Sequence, residues 1–149
     1  MKKIILSGAL MLMSFFANSQ FVYKNIVSDF DGNYKISYSQ DLYGNLLKLE
    51  NVGGYIAMYI TGSYFCDEVP NVDLLFVVNG EKYTYNLDAV KSENSKTLFL
   101  IDDLENSLII KYFLNGSKMK VRVNESQCEN DYFEFNLGNS TNAFNFMKK

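Results

Sequence analysis

The stretch VDLLFVVNGEKYTYNL, Val72 to Leu87, contains two strand-like runs on either side of Asn79-Gly80. An Asn-Gly pair suits a two-residue type I′ turn, because both central residues of that turn need positive φ. Such a turn fixes the register of its strands and sets Val78 opposite Glu81. One face then pairs Phe76 with Tyr83, Leu74 with Tyr85 and Val72 with Leu87, and the other pairs Asp73 with Asn86, Leu75 with Thr84 and Val77 with Lys82. The apolar face and the turn chemistry agree, so the sequence predicts an antiparallel hairpin here.

Further strands are predicted on both sides of this hairpin, because aromatic and β-branched runs alternate with glycine and asparagine along the chain. Upstream, Asp31-Gly32 separates FVYKNIV from NYKISYS, and Val52-Gly53-Gly54 separates NLLKLE from YIAMYI. The run Tyr55–Ile60 is apolar at every position, which is typical of a central strand covered on both faces. Downstream, the predicted strands are KTLFLI (96–101), Met119–Val123 and Tyr132–Leu137.

The segment DDLENSLIIKYFLNGSKMKVRV, residues 102–123, allows two structures. As a hairpin it turns at Asn115-Gly116, but that register sets Lys111 against Lys120, which is an unfavourable like-charge pair. As a helix it stops at Asn115-Gly116, and the helix is the favoured interpretation. In the helix, Asp102 or Asp103 is the predicted cap, and Leu104, Leu108 and Tyr112 lie on one side.

A final short helix is predicted near the C-terminus, where Asn139 or Ser140 can cap a turn containing Ala143, Phe144 and Met147. Together these elements predict a mostly β fold of the β-rich α+β class. We expect an antiparallel sandwich- or barrel-like sheet of about eight strands, with one or two short helices near the C-terminal half. The chain shows no linker and no long repeat, so residues 20–149 are expected to form one domain.

The first 19 residues have the pattern of a secretory signal peptide. Lys2 and Lys3 precede an apolar run from Ile4 to Phe16, which is short for a bilayer core of about 30 Å. The triplet Ala17-Asn18-Ser19 suits signal peptidase, so we expect cleavage after Ser19 and a periplasmic or secreted chain beginning at Gln20. A retained anchor or a buried helix is the alternative. No membrane span is expected in the mature chain.

The two cysteines, Cys66 and Cys128, both lie in the predicted mature chain. An isolated pair in an exported protein most often forms a disulfide. The CxxC spacing of redox pairs is missing, so a structural bond is predicted. In the chain-entropy model, closing a loop of this length contributes about 4 kcal/mol.

The residue types exclude several classes of function. The chain contains no histidine, which removes Ser-His-Asp and Cys-His nucleophiles and the usual zinc ligand sets. It contains no P-loop and no GxGxxG motif, so no cofactor is expected. The net charge is −3, and loss of Lys2 and Lys3 would take it to −5. Such an acidic chain is not expected to bind nucleic acid.

The acidic residues give no strong sign of a catalytic or metal site. Neighbouring acids occur at Asp67-Glu68, Asp102-Asp103 and Glu129/Asp131, and paired carboxylates can hydrolyse glycosides. Sequence neighbours on a strand point to opposite faces, however, so turn and cap positions are the favoured interpretation. The sequence DFDGN, Asp29 to Asn33, lacks the further ligands of a calcium loop and is interpreted as a turn. No catalytic residue and no metal site are predicted.

Tyr34, Tyr38, Tyr43 and Tyr55 are the predicted binding residues, because they could form an aromatic surface beside Gly53-Gly54. Tyrosine suits interfaces, since its body is apolar and its tip is polar. Tyrosine also fills strand faces for no functional reason, and that alternative stays open. The absence of tryptophan weakens the case for a sugar-binding platform.

These observations predict a small exported protein that is not an enzyme and that binds a protein partner. One specific form of this hypothesis is an inhibitor or immunity-type protein of a basic enzyme, because the chain is acidic. The alternative is a structural or accessory component of a cell-envelope or adhesive assembly. A hydrolase that uses carboxylates only is a third and weaker hypothesis, because acid–base chemistry rarely proceeds without histidine, lysine or a metal.

Overall fold

The computed structural model describes residues 20–27, 29 and 32–149, and within them the chain is mostly β. Its strands form two antiparallel sheets, of six and four strands, which make a sandwich-like fold and do not close into a barrel. The predicted fold class is confirmed, with ten strands in place of about eight. The predicted leader, residues 1–19, and Asp31 of the first predicted turn lie outside the described residues.

The twelve elements have the following bounds in chain order: β1 (Val22–Ile26), β2 (Tyr34–Gln40), β3 (Leu46–Val52), β4 (Tyr55–Thr61), β5 (Asn71–Val78), β6 (Glu81–Asp88), β7 (Val90–Lys91), β8 (Thr97–Ile101), α1 (Ile110–Asn115), β9 (Lys118–Asn124), β10 (Asp131–Asn136) and α2 (Ser140–Lys148). The six-stranded sheet has the order β1-β2-β3-β4-β8-β7, and the four-stranded sheet has the order β10-β9-β5-β6. Strand β7 has two residues, which is too short to produce a pattern in the sequence.

Strands β5 and β6 form the hairpin predicted around Asn79-Gly80. The φ angles of Asn79 and Gly80 are 51° and 82°, as a type I′ turn requires. All the predicted cross-strand pairs are present, from Val78–Glu81 at the turn to Val72–Leu87. Strand β5 also pairs with β9 on its other side, so the register of the hairpin extends to the rest of the four-stranded sheet.

The core lies between the inner faces of the two sheets. In the four-stranded sheet the inward residues alternate with outward ones, and the buried set is Val72, Leu74, Phe76, Met119, Val121, Val123, Phe133 and Phe135. In the six-stranded sheet the corresponding set is Leu47, Leu49, Ile56, Met58, Ile60, Leu98 and Leu100. The period-two alternation of a strand therefore assigns one face of each sheet to the core and leaves the other outside.

Helix α2 closes the core against strands β1 to β4. It contains Ala143, Phe144 and Met147, as predicted, and buries all three. The preceding residue, Asn139, has a φ of 68° and makes no side-chain cap; its Nδ2 donates to the Phe21 carbonyl at 3.3 Å. The predicted helix is confirmed, but its capping chemistry is not the predicted one.

The N-terminal end of the described chain is fixed to the end of β10. Phe21 is buried, and its ring meets Phe113 edge to face at 5.5 Å. The Phe21 N–H donates to the Gly138 carbonyl at 2.9 Å. The domain is therefore packed and hydrogen-bonded from its second described residue.

Helix α1 is shorter than the helix predicted from Asp102 or Asp103. It begins at Ile110, so Leu108, which was predicted to lie in the helix beside Leu104 and Tyr112, precedes it and is 82 % exposed. The N–H of Leu104 donates to the Ile56 carbonyl at 2.8 Å, so this segment follows strand β4 and does not start a helix. Asp103 accepts from Asn106 and caps a turn. The predicted stop is correct, since α1 ends at Asn115 and Gly116 is extended.

Strand β4 lies between β3 and β8, as its apolar sequence predicts. The prediction that both of its faces are covered is wrong. Ile56, Met58 and Ile60 are buried against the core, whereas Tyr55 on the outer face is 58 % exposed. Of the other outer positions, Ala57 is buried and Tyr59 is partly buried, so the outer face of β4 is open mainly at Tyr55.

The predicted disulfide between Cys66 and Cys128 is present. It joins the β4–β5 connection to the β9–β10 connection, with the Cα atoms 6.2 Å apart. The Glu125 carboxylate accepts the N–H groups of Cys66 and Asp67 at 2.7 and 2.8 Å, and the Asp67 carboxylate accepts from Ser126 and Gln127. These reciprocal hydrogen bonds hold the two connections together around the disulfide.

Replacing both cysteines by serine should lower the free energy of unfolding by about 2–4 kcal/mol, because the bond lowers the conformational entropy of the unfolded chain. Urea unfolding of the variant and of the wild type measures this difference. The wild type in excess reductant is the matched control and should show a similar loss. A loss below about 0.5 kcal/mol in both would contradict the structural role.

Candidate functional site

The outer face of the six-stranded sheet carries a group of aromatic side chains that we call the aromatic face: Tyr34, Tyr38, Tyr55, Tyr59 and Phe99. The strand registers place one row across the sheet, in which Tyr38 pairs with Lys48, Lys48 with Tyr59 and Tyr59 with Phe99. The rings of Tyr59 and Phe99 are 5.7 Å apart. The row continues to Val22 beside Tyr38 and to Val90 beside Phe99.

A second row of the aromatic face lies at one end of the sheet. Val52 pairs with Tyr55, and the register of β2 with β3, continued along the strands, places Tyr34 level with Val52. All three side chains are about half exposed, at 47 % for Tyr34, 55 % for Val52 and 58 % for Tyr55. Helix α2 lies on the opposite, inner face of this sheet, since it accepts from the inward side chains of Lys35 and Asn51. The aromatic face is therefore uncovered by any described element.

Charged groups are few on the aromatic face and lie among its rings. The Lys48 ammonium is 5.9 Å from the Tyr59 ring, at the outer limit of a cation–π contact. Partial burial raises the pKa of Tyr59 well above its usual value, and the nearby Glu50 carboxylate raises it further. Tyr59 is thus a neutral hydroxyl at physiological pH, which can donate or accept a hydrogen bond.

Acidic residues border the Tyr55 end of the aromatic face. Leu104 is hydrogen-bonded to Ile56, so the preceding Asp102 and Asp103 run beside this part of β4. Glu50 is also exposed on the outer face of the adjacent strand, but it pairs with Ala57 and therefore lies between the two rows. A partner that covers this end of the sheet would meet negative charge at its rim.

Three of the four predicted tyrosines come together on the aromatic face, and Tyr43 does not. Tyr43 lies in the loop after β2, about 20 Å along the strand from Tyr34. Tyr59 and Phe99 belong to the aromatic face but were not predicted. Tyr59 could have been found, because it is four residues after Tyr55 on one strand and therefore shares its face.

Tyr43 instead lines a groove of about 670 Å³ on the outer face of the four-stranded sheet. The Asp41 carboxylate accepts the N–H groups of Tyr43 and Asn45, which folds the loop tightly and holds Leu42 and Tyr43 outward. Their side chains are 90 % and 87 % exposed. The groove also contains Tyr132, Leu75 and Thr84 from three strands of the sheet. Its volume is in the range of small-ligand sites.

The floor of the groove consists of paired charges in two cross-strand rows. In one row Arg122 lies opposite Asp73, and its Nε donates to Asp73 Oδ2 at 2.9 Å. In the next row Glu134 lies opposite Lys120, with 3.2 Å between the charged atoms. Glu134 also pairs with Lys118. Each carboxylate of this floor is therefore matched by a basic group of β9.

The pKa values of these two carboxyl groups are lowered. Hydrogen bonds from Asn124, Asn86 and Arg122 lower the pKa of Asp73 to about 2. A hydrogen bond from Lys118, and then one from Lys120, lowers the pKa of Glu134. Both groups are ionised at neutral pH and are unsuited to act as general acids, which need a raised pKa.

The described residues contain one group with the composition of a metal site, formed by Cys66, Cys128 and Glu125, whose ligand atoms lie within 4.8 Å of one another. The two sulfurs are bonded to each other, so neither is a thiolate ligand. Glu125 Oε1 is buried and makes no hydrogen bond within the described chain. The other oxygen, Oε2, accepts the two backbone bonds around the disulfide.

Replacing Asp73 by Asn should destabilise the protein at neutral pH and leave it nearly unaffected below pH 2. The folded pKa is lower than the unfolded value of about 3.9, so ionised Asp73 stabilises the fold above pH 4, and this stabilisation is lost as the pH falls towards 2. Urea unfolding at a series of pH values measures the difference between variant and wild type. A difference that does not change between pH 5 and 2 would contradict this role.

Comparison with protein-family models, with curated proteins and with solved structures finds no match to this chain. What the chain binds therefore has to be inferred from its exposed surfaces, and these are the aromatic face and the groove on the opposite sheet.

Proposed function

We propose that this chain is a small exported protein without catalytic activity that binds a protein partner through the aromatic face. One observation carries the proposal: five aromatic rings and three exposed valines lie together on an uncovered sheet face. Monomeric soluble proteins rarely leave a contiguous apolar patch of this kind exposed. Aromatic residues are enriched at the centres of protein interfaces, and this face shares that feature.

The charge of the chain suggests the nature of the partner. The chain is acidic overall, with a net charge of −3, and acidic groups border the Tyr55 end of the aromatic face. Opposite charge at an interface rim accelerates association and selects partners. A basic protein is therefore the expected partner, and inhibition of a basic enzyme is the specific form of the proposal.

The chemistry of the groove supports a binding role more than a catalytic one. Its acids Asp73 and Glu134 have lowered pKa values and are held by basic neighbours. The two cysteines are joined and offer no nucleophile. The chain contains no histidine to serve as a base.

Replacing Tyr34 or Tyr55 by serine should weaken partner binding at least about tenfold, because each change removes an exposed ring from the interface. The immobilised chain is incubated with envelope extract of the producing cells, the captured basic protein is purified, and its affinity is measured for each variant. Binding should also weaken as salt is raised, since the rim charges become screened.

Replacing Tyr132 by serine is the matched control. Tyr132 is 67 % exposed on the opposite sheet, so the same change there should alter the affinity less than about twofold. The proposal would be contradicted if the captured partner binds the Tyr34 and Tyr55 variants as tightly as the wild type, or if it is lost only with the Tyr132 variant.

A second candidate function is that of a structural component in a cell-envelope or adhesive assembly. The observation that favours it is the long edge of strand β6, which pairs only with β5 among the described residues. Such edges accept strands from other chains. Fractionation of envelope material distinguishes the two functions, because a component of an assembly should remain in the insoluble fraction.

Export is part of the proposal. A disulfide fits an extracellular or periplasmic protein, and none of the described helices is long and apolar enough to cross a bilayer. We expect the purified native protein to begin at Gln20, because the triplet Ala17-Asn18-Ser19 suits cleavage after Ser19. N-terminal sequencing and intact mass of material from the periplasm and the medium test this. Soluble cytoplasmic protein that retains Met1 would contradict it.

A further inference from the structure

Strand β6 is an edge of the four-stranded sheet, and no described strand pairs with the side of its backbone that faces away from β5. The strand is eight residues long and contains neither proline nor glycine. In an antiparallel pair, residues alternate between hydrogen-bonded and non-hydrogen-bonded positions. The type I′ turn makes Val78 and Glu81 a hydrogen-bonded pair, so the odd-numbered residues of β6 bond to β5. The even-numbered residues direct their N–H and C=O groups away from β5.

A hydrogen bond beyond the end of β6 continues the same alternation. The N–H of Ala89, an odd-numbered residue, donates to the Pro70 carbonyl at 3.0 Å. The groups that face outward therefore belong to Lys82, Thr84, Asn86 and Asp88. A regular edge of this length is a template for a further strand.

We infer that two copies of this chain associate through β6, with the two edge strands antiparallel about a twofold axis. The two four-stranded sheets then form one continuous sheet of eight strands. A twofold axis sets one residue opposite its own copy, and outward-facing residues must meet outward-facing residues. Two registers satisfy this condition and pair the greatest length of strand. One is centred on Thr84, which then lies opposite Thr84 of the second copy, and the other is centred in the same way on Tyr85.

The charges of β6 select between these two registers. Centred on Tyr85, the pairing sets Lys82 opposite Asp88 of the second copy, and the twofold axis repeats this ion pair. Centred on Thr84, it sets Lys82 opposite Asn86 and leaves Asp88 beside the turn. Opposite charges that face each other across strands are stabilising, so the register centred on Tyr85 is favoured. Asn71 Nδ2 donates to the Asp88 carboxylate at 3.2 Å and orients it on the outer face.

The inner side of β6 also fits this association. Tyr83, Tyr85 and Leu87 point inward but are only partly buried, because β6 is the last described strand on this side of the sheet. Two of these rings pack on Tyr112 of α1, at centroid distances of 4.5 and 5.4 Å. In the Tyr85-centred register Tyr83 meets Leu87 of the second copy, and Tyr85 meets its own copy. The association buries apolar surface that the single chain leaves exposed.

Sedimentation of the full mature chain over a concentration range from about 1 µM to 1 mM tests the inference. One pairing edge gives a small interface, so we expect a dimer with a dissociation constant on the order of 10–100 µM.

Lys82→Glu should raise the dissociation constant about tenfold or more, because two ion pairs become repulsive, and Asp88→Lys should do the same. The double variant K82E/D88K should restore the affinity to within about threefold, because the charges again face each other. Lys24→Glu, on the edge strand of the other sheet, is the matched control and should leave the affinity unchanged.

A backbone variant tests the hydrogen bonding directly. Thr84→Pro removes an outward N–H and no bond to β5, so it should abolish the dimer while the far-ultraviolet spectrum stays that of a folded sheet. A chain that remains monomeric up to about 1 mM overturns the inference. A dimer that is indifferent to Lys82→Glu, or one that the double charge reversal fails to restore, overturns it equally. These results depend on β6 alone, so they are independent of binding at the aromatic face.

Discussion

The register of the β5–β6 hairpin is the constraint on which the rest of the sandwich depends. A two-residue turn with positive φ at Asn79 and Gly80 allows one alignment of the two strands. Because side chains alternate with period two, that alignment sends every apolar residue of β5 that the core needs to the same side. Strand β9 pairs with the other edge of β5 in a register that turns its apolar residues to the same side, and β10 pairs with β9 in the same way. A slip of one residue would place charged groups in the core and apolar groups in water.

The same alternation produces two very different outer surfaces. On the four-stranded sheet most outward positions are charged or polar, and Asp73 and Glu134 are each paired with a basic residue of β9. On the six-stranded sheet the outward positions are largely aromatic and aliphatic, and the few charges lie among rings. The core needs neither arrangement. The difference between the two faces is therefore the feature of the structure that most directly concerns binding.

The sequence predicts this fold best where local chemistry alone decides the structure. Local sequence alone predicts the Asn79-Gly80 turn and the two strands beside it, and the structure confirms them. The disulfide was predicted from the expected export of the chain, and it is also present. The start of α1 was wrong because a tertiary hydrogen bond, from Leu104 to Ile56, holds the preceding segment beside β4. The gathering of Tyr34, Tyr38 and Tyr55 on one face depends on the order of the strands, which no local pattern contains. Tyr43 was predicted to belong to the same aromatic surface, but the tight loop at Asp41 turns it towards the other sheet.

The attachment of Phe21 to the end of β10 has a consequence for the order of events in the proposed export. The bond between Ser19 and Gln20 lies only one residue before a buried ring and a backbone hydrogen bond to Gly138. A protease must hold several residues on both sides of its cut in an extended form, and the folded domain would withhold those that follow Gln20. If the leader is removed after Ser19, its removal has to precede the docking of β10 and of Phe21. The proteolytic step would then act on a nascent chain, and the finished sandwich would protect its own new terminus from further trimming.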